Sequence, residues 1–128
     1  MKILEYGTAF AAGACIYTLL EIIWRGYTHW TMTLTGGICL VLMYMWNNVL
    51  TNSSLTFKCL IGALSITVVE FAVGCIVNIG FGQAVWDYSN LRFNILGQVC
   101  LYFSLIWYVL SIPGFYLCDF IKDNLQLP

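Results

Sequence analysis

Charge is scarce in this sequence. Of its 128 residues only 9% are Asp, Glu, Lys or Arg, and five basic against six acidic side chains leave a net charge of −1. A soluble domain of this length needs a polar surface, and so few charged groups cannot cover one. The near balance excludes a basic nucleic-acid footprint and an acidic tail. Proline is rare, with two residues, and histidine occurs once. The cysteines Cys15, Cys39, Cys59, Cys75, Cys100 and Cys118 form no C-x-x-C pair. They sit almost entirely in apolar runs, so they read as small buried or lipid-facing side chains rather than disulfides or metal ligands. No G-x-x-x-x-G-K-[ST] motif occurs, so no nucleotide binds through a P-loop, and no cofactor is expected.

What remains is apolar. Hydrophobic residues make up 61% of the chain, and the mean hydropathy is +0.85. A spanning helix takes roughly 20 mostly apolar residues. The chain therefore reads as all-α, an integral membrane bundle of four transmembrane helices in a single domain over residues 1–128. The expected spans are about 6–24, 31–49, 57–80 and 95–120. The first run carries Glu21 and lacks a cleavage site, so it reads as a retained helix rather than a signal peptide. Pro113-Gly114 predicts a kink or partial break in the fourth helix. With four spans both termini share one side. Lys2, Lys58 and Lys122 gather there, against Arg25 and Arg92 opposite, which places the termini in the cytoplasm. So small a bias also leaves room for dual insertion and an antiparallel dimer.

An ionisable side chain in hydrocarbon costs about 2.5–3.5 kcal/mol on insertion scales, so it turns toward the bundle interior. Glu70 is such a residue. Ala63, Thr67, Glu70, Gly74 and Asn78 share one helical face of small or polar groups. Gly13, Tyr17, Glu21 and Arg25 make a similar seam on helix one, where Glu21 and Arg25 at i and i+4 suit a local ion pair. Thr33, Gly37, Tyr44 and Asn48 do so on helix two, and Gly97, Cys100, Ser104, Tyr108 and Ser111 on helix four. For Gly, Ser, Thr and Cys such seams are helix contacts first. A buried carboxyl is an expensive packing device, which makes Glu70 and Glu21 candidate binders of a proton, cation or cationic substrate.

Two connections fall on one membrane face, Trp24–Trp30 and Trp86–Asn94. Their Trp and Tyr fit an interfacial aromatic belt. A belt does not require Arg25, His29, Asp87 and Asn94 among the rings. Asp87 has Arg25 and His29 as prospective partners, and Ser89 or Asn94 is a prospective cap for helix four. A structural clasp and a binding site at the bundle mouth, involving Arg25, His29, Trp86, Asp87, Tyr88 and Asn94, are both open.

The run Trp86-Asp87-Tyr88-Ser89-Asn90, with Phe93-Asn94, Gly97-Gln98, Cys100, Phe103-Ser104 and Trp107, resembles the signature of the type IV ABC-transporter (CmpB-like) membrane proteins. Glu70-Phe71, Gly74 and Val77-Asn78 fit the same pattern. More loosely, so do Glu21, Trp24-Arg25-Gly26, Thr28-His29-Trp30-Thr31-Met32 and Gly36-Gly37. Arg92 departs from it, standing where many relatives carry proline. The resemblance implies transport. Any ATPase would then be a separate partner, and a subunit this small would work as a homodimer or higher oligomer in contact with membrane lipid.

Two function classes follow. One is a small transport protein in the cell membrane whose carboxylates bind a proton, a cation or a cationic substrate. The other is a non-transporting accessory protein whose aromatic loops dock a partner, such as a separate permease or ATPase, or a lipid headgroup. A lipid-acting enzyme using His29, Asp87, Glu21 and Tyr88 ranks third, because no nucleophile–base spacing is readable.

Overall fold

The computed structural model describes residues 2–26, 29–80, 82, 92–97 and 99–125, with the backbone alone for Lys2, Arg25 and Asn94. Four α-helices dominate: α1 (Lys2–Arg25), α2 (Trp30–Val49), α3 (Leu55–Gly74) and α4 (Leu101–Leu125). A π-helical segment, Cys75–Gly80, continues α3, and two short strands, β1 (Asn94–Ile95) and β2 (Val99–Cys100), precede α4.

The helices run up, down, up and down. Antiparallel packing of α1 on α2 follows from its contacts: Tyr44 donates a hydrogen bond to Glu5, and Thr18 meets Thr33 at 2.7 Å. Glycine permits the crossing between these two points. A Cβ on Gly13 would stand 2.5 Å from the Gly36 carbonyl oxygen and 2.6 Å from Leu40 Cβ. The two backbones therefore touch directly, as small residues allow in membrane helix pairs. On the other side of the bundle Trp46 Nε1 donates to Ser65 Oγ at 2.9 Å, joining α2 to α3, and Thr67 meets Ser104 at 2.9 Å, joining α3 to α4. The core is filled between these seams by Met43, Tyr44, Cys59, Ile66, Phe115 and Cys118.

Apolar side chains also cover the outside. Phe57, Leu60, Leu64 and Val68 form an exposed stripe on α3, and Leu101, Leu105, Val109, Ile112, Tyr116 and Phe120 form one on α4. Soluble monomers rarely present such continuous apolar faces, whereas a hydrocarbon solvent requires them. Ile3–Trp24, Leu55–Gly80 and Leu101–Leu125 are each long and apolar enough to cross a membrane. The chain is thus a multi-pass membrane protein.

Among the described residues, three of the four helices reach the length and hydropathy of a span. The exception is α2, which is 20 residues long and carries no charge, but bears Thr31, Thr33, Thr35, Asn47 and Asn48. Helix four does not begin near residue 95. Asn94 pairs with Cys100 and Ile95 with Val99 in a tight antiparallel ladder, and the helix starts at Leu101. Backbone conformation explains the break: Phe93, Leu96 and Gly97 all have positive φ, which no right-handed helix admits. Gly97 and Cys100 therefore do not belong to a helical seam, and Asn94 stands in β1, not at the residue before α4. Helix three changes to π geometry at Cys75 rather than running regularly to residue 80. At its other end α4 continues to Leu125 and passes Pro113 without a break in helical structure.

Candidate functional site

Each interior polar group is placed by a helical register. The seam expected on α3 is present: Ala63, Glu70 and Gly74 are buried, with Thr67 and Asn78 half-buried beside them. Glu70 is 2% exposed, five residues before the π segment begins at Cys75. A π segment shifts the phase of a helix and recurs at functional sites. Here it follows the most deeply buried acidic group among the described residues.

Glu21 is half-buried near the end of α1. It lines a cavity of about 240 Å³ between α1 and α4, with Tyr17, Trp24, Met32, Phe103 and Trp107 among its neighbours. Tyr17 and Trp107 meet edge to face, with ring centroids 5.7 Å apart. The Trp107 indole nitrogen is buried and has no hydrogen-bond partner among the described residues. A second recess of about 230 Å³ lies between α2 and the end of α3, lined by Thr31, Thr35, Val73 and Val77.

His29 has a definite local task as the N-cap of α2. The Thr31 backbone N–H donates to its Nδ1 at 3.3 Å, and the Thr31 hydroxyl lies 2.7 Å from the same atom. A backbone N–H can only donate, so Nδ1 is the acceptor and the ring proton sits on Nε2. The imidazole also stacks on Trp30 at 5.7 Å.

The other sequence candidates are divided. Trp86, Asp87 and Tyr88 lie outside the described residues, as do the side chains of Arg25 and Asn94. The expected Glu21–Arg25 pair and the contact between the two aromatic loops fall outside with them. No group of three or more His, Cys, Asp or Glu side chains placed to hold a metal occurs among the described residues.

A second polar centre escaped the sequence reading. It sits at the opposite end of the bundle, where α1 begins and α4 ends. Glu5 is buried and accepts the Tyr44 hydroxyl hydrogen bond. Asn47 is 4% exposed. Its Oδ1 accepts from Lys58 Nζ at 3.1 Å, and its Nδ2 donates to Asp119 Oδ1 at 2.8 Å. One amide thereby ties α2, α3 and α4 together. Spacing alone had favoured Asn48 over Asn47, and one residue turns a helix by about 100°.

Residues 47–126 match the family described as Putative ABC-transporter type IV. The chain belongs to that family. No solved structure matches it. The segment matched to the type IV ABC-transporter family takes in the end of α2, all of α3 and its π segment, the hairpin and α4, and so includes Asn47, Lys58, Glu70 and Asp119. Glu5 and Glu21 precede it. The family description assigns a membrane transport role, which suits a chain whose long helices are sheathed in apolar side chains.

Proposed function

We propose that this protein is a four-span transport subunit that works as an oligomer and binds a proton or cation at its buried carboxylates. The observation that carries this reading is Glu70, buried to 2% within an apolar helix and followed by π-helical backbone. A carboxyl so placed costs about 2.5–3.5 kcal/mol on insertion, and such groups mark ion and proton pathways. Glu21, beside its cavity, is the second carboxylate of the pathway. For the fourth span the support is the antiparallel order of the helices, which carries α2 across beside α1. Its polar groups turn inward: Thr31, Thr35 and Asn47 are all buried. The oligomer is supported by the filled core around Tyr44, Cys59 and Phe115, which leaves the bundle axis closed to a solute. A path between copies avoids that obstacle. The absence of a P-loop motif from the sequence assigns any ATP hydrolysis to a separate partner.

The test is reconstitution into proteoliposomes with an entrapped pH-sensitive dye. An imposed cation gradient drives proton movement in the wild type. Glu70→Gln retains the shape of the side chain and its melting temperature, and loses that movement. Unchanged flux in a well-folded Glu70→Gln removes Glu70 from the mechanism.

A further inference from the structure

The cavity between α1 and α4 has a chemistry of its own. Its lining includes Glu21 and Tyr17, the rings of Trp24, Phe103 and Trp107, and aliphatic side chains from α1 and α4. Among the described residues that line it, Glu21 is the sole ionisable group apart from the Tyr17 phenol. Four of the others are aromatic, and the rest are aliphatic or Met. A hard metal ion takes six or more oxygen ligands, and this lining offers the Glu21 carboxylate and the Tyr17 hydroxyl. A bare proton needs no cavity at all. An anion would be repelled by the Glu21 carboxylate, and a neutral apolar solute would gain nothing from its charge.

One ligand class uses every feature. An organic ammonium brings its own apolar body for Leu20, Ile106 and Leu110, and a diffuse positive charge for the carboxylate. Aromatic faces attract such cations through the ring quadrupole, and cages of Trp, Tyr and Phe recognise quaternary ammonium groups. Tyr17 and Trp107 hold each other edge to face, so part of the cage is already oriented. A volume of about 240 Å³ admits a small quaternary amine with one ring.

We infer that the α1–α4 cavity is a binding site for a lipophilic organic monocation, held by Glu21 and the rings of Tyr17, Trp24, Phe103 and Trp107. The inference rests on the transport reading for the fate of the bound cation, while the binding itself stands on the lining. It also gives Glu21 and Glu70 separate tasks, the first toward the organic cation and the second toward the proton.

The test is binding of benzyltrimethylammonium to the full chain in lipid nanodiscs, with empty nanodiscs as the blank. Its neutral isostere neopentylbenzene is the control for shape. Saturable binding of the cation is expected, at least tenfold tighter than that of the isostere and undisturbed by magnesium. Glu21→Gln weakens it at least tenfold, and Glu21→Asp retains it, which covers the case of a poorly folded Gln variant. Trp107→Phe, which keeps a ring, binds more tightly than Trp107→Leu. Equal binding of cation and isostere overturns the inference and leaves a slot for lipid chains. Wild-type affinity in a folded Glu21→Gln, or displacement by magnesium, also overturns it. The two readings fail separately. Glu70-dependent proton flux without Glu21-dependent cation binding removes this site alone. Cation binding with flux indifferent to Glu70→Gln removes the proton role alone.

Discussion

Substituting Gly13 by alanine tests the α1–α2 crossing most directly. The new methyl carbon would lie 2.5 Å from the Gly36 carbonyl oxygen and 2.6 Å from Leu40 Cβ, where ordinary contact begins at 3.4 Å. Neither obstacle is the free end of a flexible side chain, so the two helices must part by about 0.9 Å at their closest point. Overpacking of this kind costs about 1–3 kcal/mol. Alanine also returns something, because glycine inside a helix is about 1 kcal/mol less favourable than alanine. Gly7 supplies the control, since nothing lies within 4 Å of a Cβ built there on the same helix. Gly7→Ala collects the propensity gain without the clash, so the difference between the variants isolates the steric cost. Stability is read by titrating folded protein with SDS in mixed micelles. Gly7→Ala is expected at or slightly above wild type, and Gly13→Ala lower than Gly7→Ala by about 1–3 kcal/mol. Equal stabilities for the two variants would refute the close crossing.

Tyr44→Phe strips the buried Glu5 carboxyl of a donor and is expected to cost about 1–3 kcal/mol in the same assay; a neutral result denies the bond. Asn47→Leu breaks contacts to Lys58 and Asp119 at once, so the further loss on adding Asp119→Ala should be far smaller than the loss from Asp119→Ala alone, and full additivity in that cycle refutes the three-helix tie. His29→Ala removes the cap of α2 and should cost about 1 kcal/mol, while His29→Asn, itself a good cap, stays near wild type. Cysteine labelling at residues 2 and 124 in a cysteine-free background is expected to reach both positions from the cytoplasmic side; labelling from opposite sides within single molecules contradicts an even number of spans.

Which parts of this were legible in the sequence has a physical explanation. Apolar length alone announces α1, α3 and α4, and small-residue spacing correctly turned Ala63, Glu70 and Gly74 inward. The hairpin before α4 was hidden because Ile95, Leu96, Val99 and Cys100 are as apolar as the helix that follows. The signal lay in Gly97, whose positive φ suits a turn. Glu5 was passed over because a charged residue beside Lys2 looks like the flank of a span, and only the fold brings Tyr44 across to it. The π segment has no periodicity that a sequence of Cys, Ile, Val and Asn displays. Pro113 does not break α4, which runs on from Leu101 to Leu125.

The polar character of α2 has a consequence for biogenesis. Its polar side chains are matched by neighbours that arrive at different times: Thr18 (with Thr33) and Glu5 (with Tyr44) lie upstream of it, whereas Ser65 (with Trp46), Lys58 and Asp119 (with Asn47) lie downstream. During synthesis only the α1 partners exist when α2 emerges. On the four-span reading proposed above, the Gly13–Gly36 crossing would let the two helices enter lipid as a paired hairpin, with Thr33 and Tyr44 already satisfied by α1. Asn47 at the far end of α2 must wait for α3 and α4. The order of translation is thus written into which face of one helix each later helix completes.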